Sequence, residues 1–143
     1  MIFKKEPVDF KTKMDVVACY VQHKGKFLLL KRQPHKSHGG KWGLPAGKVG
    51  VGESYESAVV REVSEETGIE IKKEDFKQLQ TLWVRIEGLD FQYHTFAVEL
   101  ASLLEITLSD EEHQEYVWVS PEESLQVDTI HDLRECTKLF FSL

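Results

Sequence analysis

A chain of 143 residues can build one substantial core and is too short for two. With 41% hydrophobic and 29% charged residues it sits in the ordinary globular range, which excludes disordered and fibrous classes. The net charge of −6 excludes bulk nucleic-acid binding, which demands a basic surface, but leaves room for phosphate held by a few local cations or a metal ion.

The opening residues, MIFKKEPVDF, lack the apolar core and small-residue cleavage site of a secretion signal. The longest apolar runs, such as Phe27 to Leu30, are far too short to span a bilayer. Cys19 and Cys136 lie far apart with no CxxC spacing, a pattern expected of buried reduced thiols in a cytoplasmic protein. Residues 1–13 are mixed and charged, and predict a loose arm or an edge strand. Met14 to Gln22 is β-branched and aromatic and predicts a buried strand. After a turn at His23 to Lys26, Phe27 to Lys31 returns as the second arm of a hairpin. Arg32 to Lys41 is polar, basic and glycine-rich, hence a loop, and Trp42 to Gly47 is a short extended piece.

Gly47, Gly50 and Gly52 then mark a freely bending loop. Ser54 is placed to cap a helix, with Glu56 in its first turn and Gly68 closing it. Ala58, Val59, Val60 and Val63 supply the buried side. Glu70 to Asp75 is a polar connector. Lys77 to Glu87 and Phe91 to Leu100 read as longer strands around a turn at Gly88 to Asp90. Ala101 to Leu108 either extends the sheet or loops away, and Tyr116 to Val119 is a short strand. Ser120, Pro121, Glu122 and Glu123 carry a helix-start signal. Asp128 to Phe140 predicts the final helix, with Ile130, Leu133, Thr137 and Phe140 near one face.

The chemistry concentrates on the central helix. Glu62, Glu65 and Glu66 stand at i, i+3 and i+4, within one turn of each other. Carboxylates this close resist being charged together unless a partner relieves the repulsion. A hard divalent cation such as Mg2+ is such a partner, because it seeks several oxygen ligands.

The stretch from Gly47 to Ile69 resembles the signature of the Nudix hydrolase family, of which MutT is a member. Gly47, Glu53, Arg61, Glu62, Val63, Glu65, Glu66, Gly68 and Ile69 occupy every defined position of that signature. The lead-in WGLPAG, Trp42 to Gly47, is similar to the family's, with Ala46 where glycine is commoner. The resemblance implies a single domain over 1–143, folded as an α/β/α sandwich with a mixed sheet between the box helix and the C-terminal helix. It implies Mg2+- or Mn2+-dependent hydrolysis of a pyrophosphate bond in a nucleoside di- or triphosphate derivative. By position, Glu62, Glu65, Glu66 and the carbonyl of Ala46 are the implied metal ligands. Glu53 pairs with Arg61 to support the site, alongside Gly47 and Gly68.

The general base is sought among the box glutamates, Glu62 and Glu65, and the later acids Glu111, Glu112 and Glu115, with Glu115 preferred because it adjoins the strand at Tyr116. Arg32 and Lys41, and less strongly Lys36, are candidates to hold substrate phosphates. His35 and His38 have zinc-like spacing but no further ligand in view. Trp83, Phe91, Tyr93 and Phe96 read as sheet core, one of them free to stack on a base, and Trp42 and Trp118 as packing. The proline that ADP-ribose hydrolases tend to carry about fifteen residues beyond the box is replaced by Val84 and Arg85. The tyrosine of diadenosine polyphosphate hydrolases is replaced by Ile86. Elimination therefore favours a nucleoside triphosphate or modified nucleotide. A nucleotide sugar or dinucleoside polyphosphate is the alternative, and a non-catalytic nucleotide-binding module comes last. The expected partner is a nucleotide-type small molecule, without bulk nucleic acid or membrane, and a homodimer is left open.

Overall fold

The computed structural model describes all residues from Met1 to Leu143. The run Met14 to Gln22 is apolar at almost every position because it is buried on both faces. Strand β2 (Met14–His23) presents Val17, Cys19 and Val21 to one layer and Ala18 and Tyr20 to the other. Strand β3 (Lys26–Arg32) does the same with Leu28 and Leu30 against Phe27 and Leu29. Doubly buried strands need a helix on each side. Helix α1 (Tyr55–Thr67) covers the first layer with Ala58, Val59 and Val63. Helix α3 (Leu133–Phe141) covers the second with Leu133 and Cys136, and the Tyr20 hydroxyl reaches Thr137 Oγ1 at 3.0 Å. The result is the α/β/α sandwich that the family resemblance implies.

The sheet is eight-stranded and mixed, with β1 (Ile2–Phe3), β6 (Lys77–Ile86), β7 (Leu89–Glu99), β2, β3 and β4 (Trp42–Gly43) in spatial order. Strands β2 and β7 run parallel from Met14↔Phe91 to Gln22↔Glu99, and the other named pairings are antiparallel. The hairpin partners β2 and β3 pair only at Gln22↔Phe27 and His23↔Lys26, then diverge. The far end of β2 is taken instead by β5 (Ala46–Lys48), through Val16↔Lys48, Val17↔Gly47 and Ala18↔Ala46. This substitution brings Gly47 to the middle of the molecule. Strand β8 (His113–Val119) completes the outer edge against β3.

Several elements depart from the sequence expectation, each for a physical reason. The β6–β7 turn is the two-residue Glu87–Gly88, both with positive φ (50° and 80°), a geometry that matches the twist of a tight hairpin; Leu89 and Asp90 are already strand. Of the two courses open to it, Ala101 to Leu108 takes the loop and forms no strand. The final helix starts at Leu133 and not Asp128, because 128–130 is drawn into strand-like pairing. Trp42 N–H donates to the Asp128 carbonyl and Ile130 N–H to the Trp42 carbonyl. Helix α2 (Pro121–Ser124) is a single turn, opened by the Ser120–Glu123 capping box. No helix is long and apolar enough to cross a membrane.

Helix α1 has the expected ends: Ser54 accepts from Ser57 N–H at 3.1 Å, and Gly68 at φ 75° donates to the Ser64 carbonyl. Removing this cap in Ser54→Ala is expected to cost about 1 kcal/mol, read as a lower urea midpoint with an unchanged slope.

Candidate active site

The buried side of α1 is not purely apolar. Val60 is only half-buried, while Glu62 and Glu66 are 9% and 8% exposed. At roughly 100° per residue, Glu62 and Glu66 lie closest together on the helix and Glu65 is carried round toward solvent. Its side chain is 57% exposed. The three glutamates therefore divide into a buried pair and an outward partner, and as the side chains stand no three His, Cys, Asp or Glu side chains form a cluster that could hold a metal ion.

Strand β5 roofs the pair. Ala46 N–H approaches Glu66 Oε1 at 3.4 Å. Gly47 lies so close to Glu62 that a Cβ there would overlap its carboxyl group. The glycine is thus required by close approach, not by its φ. Burial, and then the neighbouring Glu62 carboxyl, push the Glu66 pKa well above the ordinary carboxylate range.

Arg61 locks the preceding loop onto the helix. Its Nε and Nη2 donate to Glu53 at 2.8 and 2.9 Å, Nη1 to Glu62 Oε1 at 2.7 Å, and Nη2 to the Lys48 carbonyl at 3.0 Å. Glu65 sits further off, at 3.3 Å from Nη1. Glu53 also accepts from Gly50 N–H at 2.8 Å, closing the glycine loop. At the start of α1, Tyr55 stacks on the buried His94 at 3.8 Å, and His94 Nε2 lies 2.9 Å from Asp15 Oδ1. Gly68, at the other end, packs on Thr107.

On the opposite side of β5 lies a cleft of about 710 Å3. Its floor is apolar, built from β1, β2, β6 and β7 and including Val16, Phe91 and Tyr93; its rim carries Arg32, Lys41 and Lys48. Arg32 is held by the loop, its Nε donating to the Ser37 carbonyl at 2.6 Å. Lys41 is 3.7 Å from Asp128, and Lys36 is 3.5 Å from Glu112. Phe96 is core beneath α1, while Trp83 alternates with Leu82 and Val84 and so points away from the cleft. His35 and His38 are exposed and belong to no cluster of metal-binding side chains.

A family model described as NUDIX domain matches residues 11–140. The chain belongs to the Nudix family. It is 35% identical to the CTP pyrophosphohydrolase of Escherichia coli K12 over 113 residues, which cover 79% of this chain and 80% of that protein. It is 33% identical to the phosphatase NudJ of the same strain over 116 residues, 80% of this chain and 72% of that one. Among solved structures, the MutT protein from Methanosarcina mazei Go1 superposes with a TM-score of 0.77 at 32% identity, covering 92% and 95% of the two chains. The protein is therefore a Nudix hydrolase, an enzyme acting on pyrophosphate bonds.

Within this Nudix fold the later acids are spread out. Strand β8 begins at His113, three residues before the expected Tyr116, so Glu115 lies within it. Glu115 pairs with Lys31, which alternates with Leu30 and so faces the α3 layer; Lys31 Nζ is 3.4 Å from the Glu115 carboxylate. The structure does not bring Glu115 to the box pair. Glu112, half-buried beside Lys36, has its charge felt at Glu66, while Asp110 and Glu111 are exposed.

One neighbour of the box pair escaped the sequence reading. His113 is 3% exposed, and its Nε2 lies 3.9 Å from Glu66 Oε1. Period-two counting back from Trp118 points Gln114 inward. A bulge between Lys31 and Arg32 shifts the phase and turns His113 in instead.

The Arg61 contact holds the Glu53 carboxyl down to about 2, from an ordinary 4.5, with Gly50 N–H assisting. The contact therefore stabilises the fold fully above pH 4.5 and is lost as pH falls toward 2. Glu53→Gln is expected to flatten the acid limb of the stability–pH curve over that window, measured by urea melts at stepped pH.

Proposed function

We propose that this Nudix hydrolase is a divalent-cation-dependent nucleoside triphosphate pyrophosphohydrolase that releases a monophosphate and pyrophosphate. The observation that carries this reading is the arrangement across β5. A cleft of nucleotide size with a cationic rim lies on one side, and a buried carboxylate pair on the other. The 35% identity to a protein named CTP pyrophosphohydrolase supports a triphosphate and makes CTP the first substrate to try. The two free buried thiols suit a reducing cytoplasm.

Glu62, Glu66 and the carbonyl of Ala46 would hold Mg2+ or Mn2+, and Glu65 can turn in from its long contact with Arg61. The donor set fits a hard cation: oxygens only, with two like charges buried side by side that a positive ion relieves. Bound there, the cation supplies charge that neutralises the phosphates and acidifies water. The chain's own residues do the rest. Arg32, Lys41 and Lys48 grip the polyphosphate at the rim, with Arg32 already oriented by Ser37. Phe91 and Tyr93 give the nucleoside an apolar wall. Glu53 and Arg61 keep Glu62 in place. Glu112 takes up the proton of the attacking water on a carboxylate oxygen, a role its nearness to Glu66 supports over the Lys31-paired Glu115.

Pyrophosphate release should require Mg2+ or Mn2+ and favour nucleoside triphosphates over nucleotide sugars, dinucleoside polyphosphates and ADP-ribose in a parallel screen. Turnover of none of them would sink the enzymatic reading of this site, and preference for another class would redirect the substrate. Glu66→Gln is expected to lower kcat by about 100-fold or more, with circular dichroism unchanged. Glu112→Gln should lower kcat more than it alters KM, while Glu115→Gln stays within a few-fold of the parent. The reverse ranking would return the base to Glu115.

A further inference from the structure

His113 is a buried titratable side chain that the mechanism above does not use, and its surroundings determine what it can do. It is 3% exposed, and its Nδ1 is buried without a hydrogen-bond partner. Its other nitrogen, Nε2, faces Glu66. The main chain at His113 is held in place: its N–H donates to the Ser109 carbonyl at 2.9 Å, and its carbonyl accepts from Gln33 Nε2 at 3.2 Å. The bulge against Arg32 fixes the direction in which the ring enters.

A neutral imidazole carries one N–H. Placed on Nδ1, that proton would be a buried donor with nothing to receive it, the costlier kind of orphan. Placed on Nε2, it points at a carboxylate. Glu66 has need of it. Its charged and polar neighbours are Glu62 and Glu112, both repulsive, and Ala46 N–H, at a long 3.4 Å.

On the metal reading proposed above, we infer that His113 is a positioning residue: its Nε2–H closes the 3.9 Å gap to ionised Glu66 and orients that carboxylate as a cation ligand. Carboxylates that bind metals are commonly held by an outer hydrogen bond of this kind, and catalytic contacts are often long before ligands arrive. His113 would thereby tie the β8 edge to α1 through the cation's own ligand.

The test has a metal-free arm and a metal arm. Long-range 1H–15N spectra of the metal-free protein, taken at a pH high enough to ionise Glu66 despite its raised pKa, should show the His113 ring proton on Nε2; a proton on Nδ1 there overturns the inference. In the second arm, Mn2+ binding is measured by calorimetry without nucleotide. Gln places its amide nitrogen near the position of Nε2, whereas Asn reaches only the position of Nδ1. His113→Gln should bind Mn2+ within a few-fold of the parent, and His113→Asn and His113→Leu about 10- to 100-fold more weakly, all with unchanged urea midpoints within the spread of the set. At saturating Mn2+ the KM for nucleotide should stay constant while kcat follows the same ranking. Equal Mn2+ affinity in all three variants overturns the role of His113 alone. No Mn2+ binding by the parent sinks the metal reading, and this inference with it.

Discussion

Two carboxylates buried within one helical turn, under a backbone that leaves no room for a side chain, are the constraint to which the surrounding structure answers. Glu62 and Glu66 would repel each other in any low-dielectric interior, and burial raises the cost of ionising both. The fold meets that cost with placement. Arg61 is anchored by Glu53 and the Lys48 carbonyl, so its charge stays fixed beside Glu62 and cannot collapse onto Glu66. Gly47 lets β5 descend onto the pair, and Ala46 N–H and His113 approach Glu66 from two further directions. Ser54 and Gly68 fix the helix ends, so the register of the glutamates beneath β5 is set at both ends.

The route of β5 explains why the sheet looks irregular. A regular β2–β3 hairpin would continue pairing along its whole length and leave no strand position for Ala46 to Lys48. Instead the two strands part after Gln22↔Phe27, and β5 takes the released edge of β2. The same divergence opens the cleft at the ends of β2 and β3, with Val16 on its floor and Arg32 on its rim. The roof over the carboxylate pair and the cleft beside it are thus two consequences of one departure from ideal pairing.

Much of this was legible from residue order alone. The ends of α1, the buried strand β2 and the helix start at Ser120 follow from local rules of capping and apolar patterning, the Glu53–Arg61 pair follows from the family signature, and the structure keeps them all. What escaped was set by contacts distant in sequence. The helical periodicity of 128–140 is real, but Trp42 competes for the backbone of Asp128 and Ile130 and delays the helix to Leu133. Helical spacing groups Glu62 with Glu66, but that this pair and not Glu65 faces inward is decided by the position of β5. His113 was hidden by a bulge, which period-two counting cannot see, and the choice among Glu111, Glu112 and Glu115 was blurred by the same shift.

The short run from Trp42 to Lys48 has a consequence for how such a molecule can change over generations. One end, at Trp42 and Gly43, meets the irregular segment 128–130 and the side chain of Ile130. The other end, at Ala46 and Gly47, meets the glutamates of α1. The two ends share a backbone but meet different segments of the chain. Drift in the segment before α3 can reshape the cleft wall at Ile130 while the roof over the glutamates keeps its geometry. A lineage built on this plan can explore new ligands without first losing its chemistry.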